Sequence, residues 1–375
     1  MGTEQNTLER LGLKEEDAVR LLAEAKAYKG ESLWSDAWRR LRANKVAYGS
    51  LVFLIIFGLT SFFAPILPLP SPSAPNLPNQ LQPPHLEWGN SDYLAEVPLD
   101  QPVDAAAIAV AYWEKMGTFD QFLIRTRVKL FGRWQTGAWM GTDALGRDVM
   151  SRIVWGSRTS ILVALAAAAC SLLIGVVYGA FSGLMGGRID NFMMRLVDIM
   201  YSIPFIFVVI FLITLIGDYK QELEKVGLNR ETVFFLVIGA VYWLTMARVV
   251  RGQVLSLKNK EFVEAARVVG ASTPRILFAH IVPNVLSIVI IYLTLTIPAV
   301  MLFEAFLSFL GLGIEPPKVS WGTLASDGTE AINPLRIFWW LVVFPSIAMA
   351  SALLALNLLG DGLRDALDPK MRGKD

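Results

Sequence analysis

Side chains that usually perform catalysis or hold metal ions are scarce in this sequence. A single cysteine, Cys170, excludes an internal disulfide and a cysteine-based metal cluster. The two histidines, His85 and His280, leave little for imidazole metal chemistry. The phosphate-binding pattern G-x-x-x-x-G-K-[ST] does not occur, and neither do H-E-x-x-H or G-x-S-x-G. The sequence therefore predicts no ATP hydrolysis by that route, no resident cofactor and no metal site.

One charged island, Glu261–Asn284, lies between two strongly apolar stretches and has helical spacing. Its first part, Lys260–Val269, has room for about two and a half helical turns. The apolar residues predicted to share a face are Phe262, Ala266 and Val269. The charged residues predicted to occupy the rest of the surface are Glu261, Glu264 and Arg267. Ala265 and Ala266 keep one side of this helix thin, which allows a partner to approach closely.

The island also carries start and stop signals. Gly270 stands where a left-handed residue ends a helix at low cost. Thr273 is predicted to cap a second helix, with Pro274 at its first position, and this helix runs into the next apolar stretch. A short projecting helix continuous with a membrane span could transmit a push from a cytoplasmic partner. An amphipathic helix on the lipid surface, or simple loop packing, is equally compatible with the pattern.

The elements around the island are apolar enough to cross a membrane. The sequence is 54% hydrophobic and 18% charged, with a mean hydropathy of +0.47. About six windows approach the roughly 20 residues that span a bilayer. They are Val46–Leu67, Thr159–Leu184, Ile199–Gly217, Thr232–Ala247, Leu277–Phe303 and Ile337–Leu359. These windows contain no Asp, Glu, Lys or Arg, so an ion- or proton-coupled relay within the membrane is not expected.

Basic residues predict the orientation. Trp38–Lys45 holds four Lys or Arg residues before the first span and should remain in the cytoplasm, which places both termini there. A net charge of +1 gives no reason to expect nucleic acid binding. A helix is expected at Glu15–Lys29, and Pro68–Pro84 is expected to be extended rather than packed. The predicted organisation is cytoplasmic helices in 1–45, a first span in 46–67, an exported insertion in 68–140, a five-helix core in 141–370 with its loop at 251–284, and a tail in 371–375.

Family resemblance adds to this interpretation. "EAARVVG" (Glu264–Gly270) followed by "HIVPN" (His280–Asn284) resembles the cytoplasmic loop of ABC importer permeases. The His and Val variants within it resemble the oligopeptide, dipeptide and nickel branch. Further stretches that resemble the C-type permease subunit of that branch are Gly141–Ser160, Asp198–Phe205, Leu307–Gly322 and Leu359–Lys370. The resemblance covers about 230 residues in the family's order.

The resemblance implies an all-α type I importer permease fold of about six transmembrane helices with a cytoplasmic coupling helix, in a bacterial or archaeal inner membrane. It implies import of peptides, or of nickel complexes or another small solute. A non-transporting membrane scaffold or sensor stays open as an alternative. The implied partners are membrane lipid, a homologous permease, two ATP-binding subunits that hold ATP and Mg²⁺, and an extracytoplasmic binding protein.

The same resemblance implies roles for individual residues. In the coupling loop, Glu264 and Arg267 would make polar contacts with an ATP-binding subunit. The residues that would allow close approach there are Ala265, Ala266 and Gly270. Phe262 would fill an apolar pocket of that subunit or pack under this chain's own helices, and Pro283 would set the geometry of re-entry into the membrane.

Outside the coupling loop the assignments are weaker. Pro204 and Pro298 are candidate kinks beside a gate, although ordinary helix bending explains them equally well. Trp321 is expected in an interfacial or re-entrant turn that acts as an outer gate or receives the binding protein. The pair Gly175 and Gly179 permits close helix packing. Local ion pairs at the outer rim are expected among Asp143, Arg147 and Asp148.

Overall fold

A computed structural model describes residues 33–90, 117–132, 134–219, 222, 225, 230–316, 318–332 and 334–367. The predicted helix at 15–29 and the tail at 371–375 lie outside these residues. The helices are α1 (Leu33–Ala43), α2 (Lys45–Phe62), α3 (Thr118–Phe131), α4 (Val149–Cys170), α5 (Val176–Met185), α6 (Gly187–Ser202), α7 (Phe205–Asp218), α8 (Arg230–Leu257), α9 (Glu261–Val268), α10 (Thr273–Arg275), α11 (Val282–Phe309), α12 (Trp321–Glu330) and α13 (Trp340–Leu367). Strands β1 (Trp88–Asn90) and β2 (Trp134–Thr136) form an antiparallel pair in which Gly89 faces Gln135.

Five of the helical segments are long and apolar enough to cross a membrane, and one bent pair makes a sixth. The five are Lys45–Phe62, Val149–Met185, Thr232–Leu257, Thr273–Phe309 and Trp340–Leu367. The sixth combines Gly187–Ser202 with Phe205–Leu215. The expectation of an all-α membrane protein with about six spans is therefore confirmed.

The spans extend beyond the charge-free windows of the sequence. Val149–Met185 and Thr273–Phe309 each contain 37 residues, so each is about 55 Å long at 1.5 Å per residue. The longer helices include ionisable side chains that the windows excluded, among them Arg152 and Glu304, which are both buried. The windows themselves hold no Asp, Glu, Lys or Arg, but the complete helices do, and intramolecular partners make these groups tolerable there.

The third span is broken rather than gently kinked. Helix α6 ends at Ser202, Pro204 follows, and α7 begins at Phe205 with an axis turned by 80°. Proline disfavours helical backbone at the preceding residue, and Ile203 accordingly has extended φ and ψ angles of −84° and 124°. The result is a cleft at the bend within an otherwise helical span.

A stripe of glycines holds the centre of the bundle together. Gly175, Gly179 and Gly183 lie four residues apart and face α8 so closely that a Cβ on Gly179 would stand 2.2 Å from the Ala247 carbonyl oxygen. The five residues before α5, Ser171–Gly175, form a π-helical turn. The predicted close packing through Gly175 and Gly179 is thus present within this chain, between α5 and α8.

The region that follows the first span is folded. The Asn76 N–H donates to the Leu145 carbonyl at 2.9 Å, and the Leu81 N–H donates to the Asp143 carbonyl at 3.0 Å. Leu69 is buried. The prediction that Pro68–Pro84 is extended and unpacked is therefore wrong. Proline limits regular structure, but the neighbouring backbone groups still pair with the segment before α4.

The first described helix rests on the last one. Ala37 and Leu41 of α1 are buried in a cluster with Ala47 and Ala366, whereas Trp34 and Trp38 are 55% and 48% exposed. Leu41 therefore does not share the exposed side of the two tryptophans. Helix α1 packs on the protein's own surface through its alanine and leucine side chains.

Candidate coupling site and membrane pathway

Helix α9 projects from the bundle and keeps most of its surface free. Glu264, Ala265, Arg267 and Gly270 are exposed, and Phe262 retains 39% of its accessible surface. Among the described residues no carboxylate or basic group forms a salt bridge with Glu264 or Arg267. This outward surface has an aromatic ring, two opposite charges and small residues, which suits the close approach of another macromolecule.

The far end of α9 closes with a defined hydrogen-bond pattern. The Ala271 N–H donates to the Ala266 carbonyl at 3.0 Å, and the Gly270 N–H donates to the Arg267 carbonyl at 2.9 Å. These two bonds form a Schellman motif, which needs a left-handed residue between them. Gly270 supplies it with a φ of +80°. The predicted stop at Gly270 is confirmed in position and in mechanism.

Val263 sets the inward side of α9. It is fully buried, and Ala266 packs beside it on a cluster that includes Val254, Ile276 and Ile281. Phe262 and Val269, which were predicted to share a face with Ala266, are both exposed. The helix ends at Val268 and contacts the bundle chiefly through Val263.

An ion pair joins the helices beside this cluster. The Arg251 guanidinium of α8 donates two hydrogen bonds of 2.7 Å to the two carboxylate oxygens of Asp190 in α6. The Ser182 hydroxyl of α5 donates to Asp190 Oδ1 at 2.6 Å. A bidentate arginine–carboxylate pair fixes both distance and angle. It ties α5, α6 and α8 together where α9 is attached.

The return into the membrane begins one residue earlier than predicted. Ser272, rather than Thr273, has the extended backbone of an N-terminal cap, so Pro274 occupies the second helical position. The chain then makes a π-helical turn, Ile276–Ile281, before α11. Pro283 lies at the second position of α11, directly after this π-helical turn and within the helical segment Thr273–Phe309.

A cleft of about 360 Å³ opens where the third span is broken. Pro204 and Phe205 lie at the bend, and Tyr242 of α8 forms part of the opposite wall. The lining is mainly apolar, with the Tyr201 hydroxyl hydrogen-bonded to the Thr245 hydroxyl. Pro204 is thus part of a cleft within a span, whereas Pro298 is buried inside the continuous helix α11.

Trp321 lies in the core and not at an aqueous interface. It is 2% exposed, its indole N–H donates to the Ile153 carbonyl at 3.1 Å, and its ring is 5.4 Å from that of Phe57. The expectation of an interfacial turn is wrong for this residue. As the first residue of α12, it joins that helix to α2 and α4.

Glu304 is the buried carboxylate that the apolar windows missed. It is 0% exposed near the end of α11 and accepts hydrogen bonds of 2.8 Å from Ser160 Oγ and 2.7 Å from Ser308 Oγ. Ser160 Oγ also accepts a hydrogen bond from the backbone N–H of Trp321 at 3.4 Å. Both carboxylate oxygens are therefore satisfied by groups of this chain, and the contacts join α4, α11 and α12.

Sequence comparisons agree with this arrangement. Residues 175–373 match the family model described as "Binding-protein-dependent transport system inner membrane component". Residues 32–84 match "N-terminal TM domain of oligopeptide transport permease C". The chain belongs to this permease family.

Individual relatives cover nearly the whole permease. This chain is 38% identical over 350 residues to the oligopeptide transport system permease protein OppC of Bacillus subtilis, and the match covers 93% of this chain and 94% of the relative. The OppC of Haemophilus influenzae is 40% identical over 347 residues, with 92% and 90% covered. The dipeptide transport system permease protein DppC of Bacillus subtilis is 38% identical over 341 residues, with 91% and 87% covered.

A network of charges surrounds the start of α4. Asp143 accepts from Arg147 Nε at 2.7 Å and pairs with the buried Arg152. Asp327 of α12 lies 2.8 Å from Arg152 and 3.4 Å from Arg147. The expected local pairing of Asp143 with Arg147 is present. Its extension to Arg152 and Asp327 was missed, because the partners are far apart in the sequence.

Asp148 takes part in a different way. It caps α4 by accepting the Ser151 N–H at 2.6 Å and has no salt bridge. The pKa of its carboxyl is raised to about 7, chiefly by burial; the Ser151 hydrogen bond opposes this rise and the Asp143 charge adds to it. Asp148 also lines a polar cavity of about 250 Å³ between 70–89 and 135–148. The predicted ion pair of Asp148 is therefore absent among the described residues.

Proposed function

We propose that this permease is a transmembrane subunit of an ATP-driven ABC importer that moves di- and oligopeptides across the inner membrane. Relatives that are 38–40% identical over most of the chain are named as oligopeptide and dipeptide permeases, which supports peptide as the substrate class. The family description, a binding-protein-dependent system, supports delivery of substrate by an extracytoplasmic binding protein. The remaining proposed partners are a homologous permease and two ATP-binding subunits, which hold the ATP and Mg²⁺, so this chain has no ATPase site of its own.

The observation that carries this proposal is the two-sided character of α9. Its inward residue Val263 is fully buried, whereas Phe262, Glu264 and Arg267 face outward without intramolecular ion partners among the described residues. Docking of such a helix loses little conformational entropy, because packing has already fixed its inward side before a partner binds. In this proposal α9 fits a groove on an ATP-binding subunit, in which Phe262 fills an apolar pocket.

Movement of α9 would pass into the membrane through rigid contacts. Val263 packs on Ile281 directly before α11, and the Arg251–Asp190 pair connects α8 with the broken third span. A displacement of the coupling helix then shifts α11 and α6 together, with Pro283 at the start of α11. ATP binding would in this way switch the pathway between its inward and outward openings.

The cleft at Pro204 is the proposed part of the pathway in this chain. Its apolar wall and the Tyr201, Tyr242 and Thr245 hydroxyls suit a peptide, which offers apolar side chains together with backbone donors and acceptors. Pro298 would permit bending of α11 during the switch, and Trp321 would hold α12 above the pathway. The positive-inside bias of Trp38–Lys45 supports cytoplasmic termini.

The test is a binding and transport assay on the reconstituted importer. Glu264→Lys is expected to weaken binding of the ATP-binding subunits and to abolish peptide uptake while the permease still inserts into the membrane. Glu330→Lys makes the same charge change at an exposed position of α12 and should leave ATP-binding subunit affinity unchanged.

A second pair separates helix geometry from charge. Gly270→Ala places a side chain at a φ of +80° with no atom within 4 Å to clash, so only the backbone of the Schellman motif is strained. Gly252→Ala has equal space in a regular helix and serves as the matched control. Uncoupled ATP hydrolysis is expected in the first variant alone. Full peptide uptake by both Glu264→Lys and Gly270→Ala would refute the coupling role of α9.

A further inference from the structure

Helix α3, outside the membrane spans, has one exposed face that combines apolar and basic side chains. Phe119, Phe122 and Leu130 are 45%, 62% and 64% exposed, and Arg125 and Lys129 are exposed as well. At 100° per residue these five side chains fall on the same side of the helix, with the two basic residues along one edge. Ile124 and Arg127, on the other side, are buried, and so is Leu123 at the edge next to Leu130.

Two contacts fix the height of α3 relative to the membrane. The Phe119 ring lies 5.4 Å from that of Phe62, the last residue of α2. Because α2 has 18 residues and is about 27 Å long, its length is close to the roughly 30 Å thickness of the hydrocarbon core. The start of α3 therefore lies at the level where α2 leaves the hydrocarbon.

The second contact is on α4. The Arg158 guanidinium donates hydrogen bonds of 2.7 and 3.1 Å to the two carboxylate oxygens of Asp120. Arg158 is ten positions into a segment of about 55 Å, which exceeds the roughly 30 Å hydrocarbon core by far. An ion pair at this depth is consistent with the polar headgroup region. Both contacts therefore place the start of α3 at the same level of the membrane.

We propose that the exposed face of α3 binds anionic phospholipid headgroups in the leaflet next to Phe62. Its apolar residues continue the lipid-facing side of α2, where Ile56 and Leu59 are 57% and 51% exposed. Arg125 and Lys129 supply positive charge at headgroup level, and the one carboxylate of α3, Asp120, is engaged by Arg158. Interfacial helices bind membranes through this combination of an apolar face and basic side chains.

The first test measures the depth of this face in the 375-residue permease. In a Cys170→Ala background, a spin label is attached at Phe122→Cys, and its accessibility to oxygen and to a water-soluble nickel chelate is measured in vesicles. Labels at Leu59→Cys and Val268→Cys provide the lipid and water references, since both positions are exposed in the fold. The oxygen-to-chelate ratio at 122 is expected to approach that at 59.

The second test concerns the headgroup charge. The ratio at 122 is expected to rise when phosphatidylglycerol is added to phosphatidylcholine vesicles, because each basic side chain near an anionic surface changes partitioning about fivefold. Arg125→Gln/Lys129→Gln should lose this dependence, whereas Arg125→Lys/Lys129→Arg should retain it. The lipid reference at Leu59→Cys verifies insertion of every variant.

Two results would overturn the proposal. One is a chelate-accessible label at 122 in both vesicle compositions. The other is a label that is aqueous in vesicles of the permease alone and becomes protected only when an extracytoplasmic protein is added. The latter would assign the face of α3 to a protein partner and not to lipid.

Discussion

Replacement of Gly179 by alanine tests the helix packing beneath the coupling site most directly. An added Cβ would lie 2.2 Å from the Ala247 carbonyl oxygen and 2.9 Å from two further backbone atoms of that residue. Ordinary van der Waals contact begins near 3.4 Å, so α5 and α8 must separate locally by about 1.2 Å. Backbone cannot rotate aside as a flexible side chain can, and the whole contact between the helices has to adjust.

The expected cost follows from these distances. Overpacking a close-packed core destabilises by about 1–3 kcal/mol, and a clash with backbone belongs at the upper end. Alanine offsets about 1 kcal/mol through its better helix propensity. Gly179→Ala should therefore lower the free energy of unfolding by about 2 kcal/mol. Because the Ser182–Asp190–Arg251 contacts join α5 and α8 to α6, substrate-stimulated ATPase activity of the assembled importer should fall as well.

The assay is thermal or denaturant unfolding of the purified permease in detergent. Gly58→Ala is the matched control, since Gly58 lies in the membrane helix α2 with no atom within 4 Å of an added Cβ. It should be neutral or slightly stabilising. Equal stability of the two variants would refute the close approach of α5 and α8.

Three further outcomes are expected. Ser160→Ala should destabilise the permease by about 1–3 kcal/mol in the same unfolding assay, because a Glu304 carboxylate oxygen loses its hydrogen-bond donor. Ser256→Ala removes an exposed hydroxyl that bonds only within its own helix, and it should be neutral. Equal effects of the two substitutions would contradict the buried Ser160–Glu304 hydrogen bond. Asp148 has its pKa raised to about 7, so its stabilising contribution is present below about pH 4 and is lost as the pH rises through 7. Asp148→Asn should therefore exceed the wild type in stability at pH 8 and approach it near pH 4; a pH-independent difference would contradict this. Val263→Ala should speed amide hydrogen exchange in α9 whereas Val268→Ala, at an 89% exposed position, should not; similar exchange in both would argue against Val263 as the anchor.

The sequence predicts the position and the end of helix α9 better than the side of the helix that packs on the bundle. Helical spacing and Gly270 are local signals, and both the helix and its end are as expected. Which side of α9 turns inward depends on contacts with residues such as Val254 and Ile281, which lie outside the helix. The apolar spacing of Phe262, Ala266 and Val269 therefore does not identify Val263 as the buried residue.

The polar groups of the spans were missed for a related reason. Charge-free windows identify hydrocarbon-crossing segments, but they stop at the first ionisable residue. Arg152, Asp190 and Glu304 lie beyond those limits and are buried with partners 4 to 175 positions distant in the sequence. Long-range pairing of this kind cannot be read from local composition. The glycine spacing at 175–183 is a signal that indicates close packing but does not name the partner helix.

The π-helical turn at Ser171–Gly175 has a consequence for insertions and deletions in this protein. A π turn accommodates one residue more than an α-helical turn. Deleting one residue there would therefore leave a continuous α-helix in which the later residues keep their direction around the axis. Gly179 and Gly183 would still face α8. A single-residue deletion at 171–175 should therefore be tolerated better than a deletion in a regular turn of α8, where every later residue would rotate by about 100°.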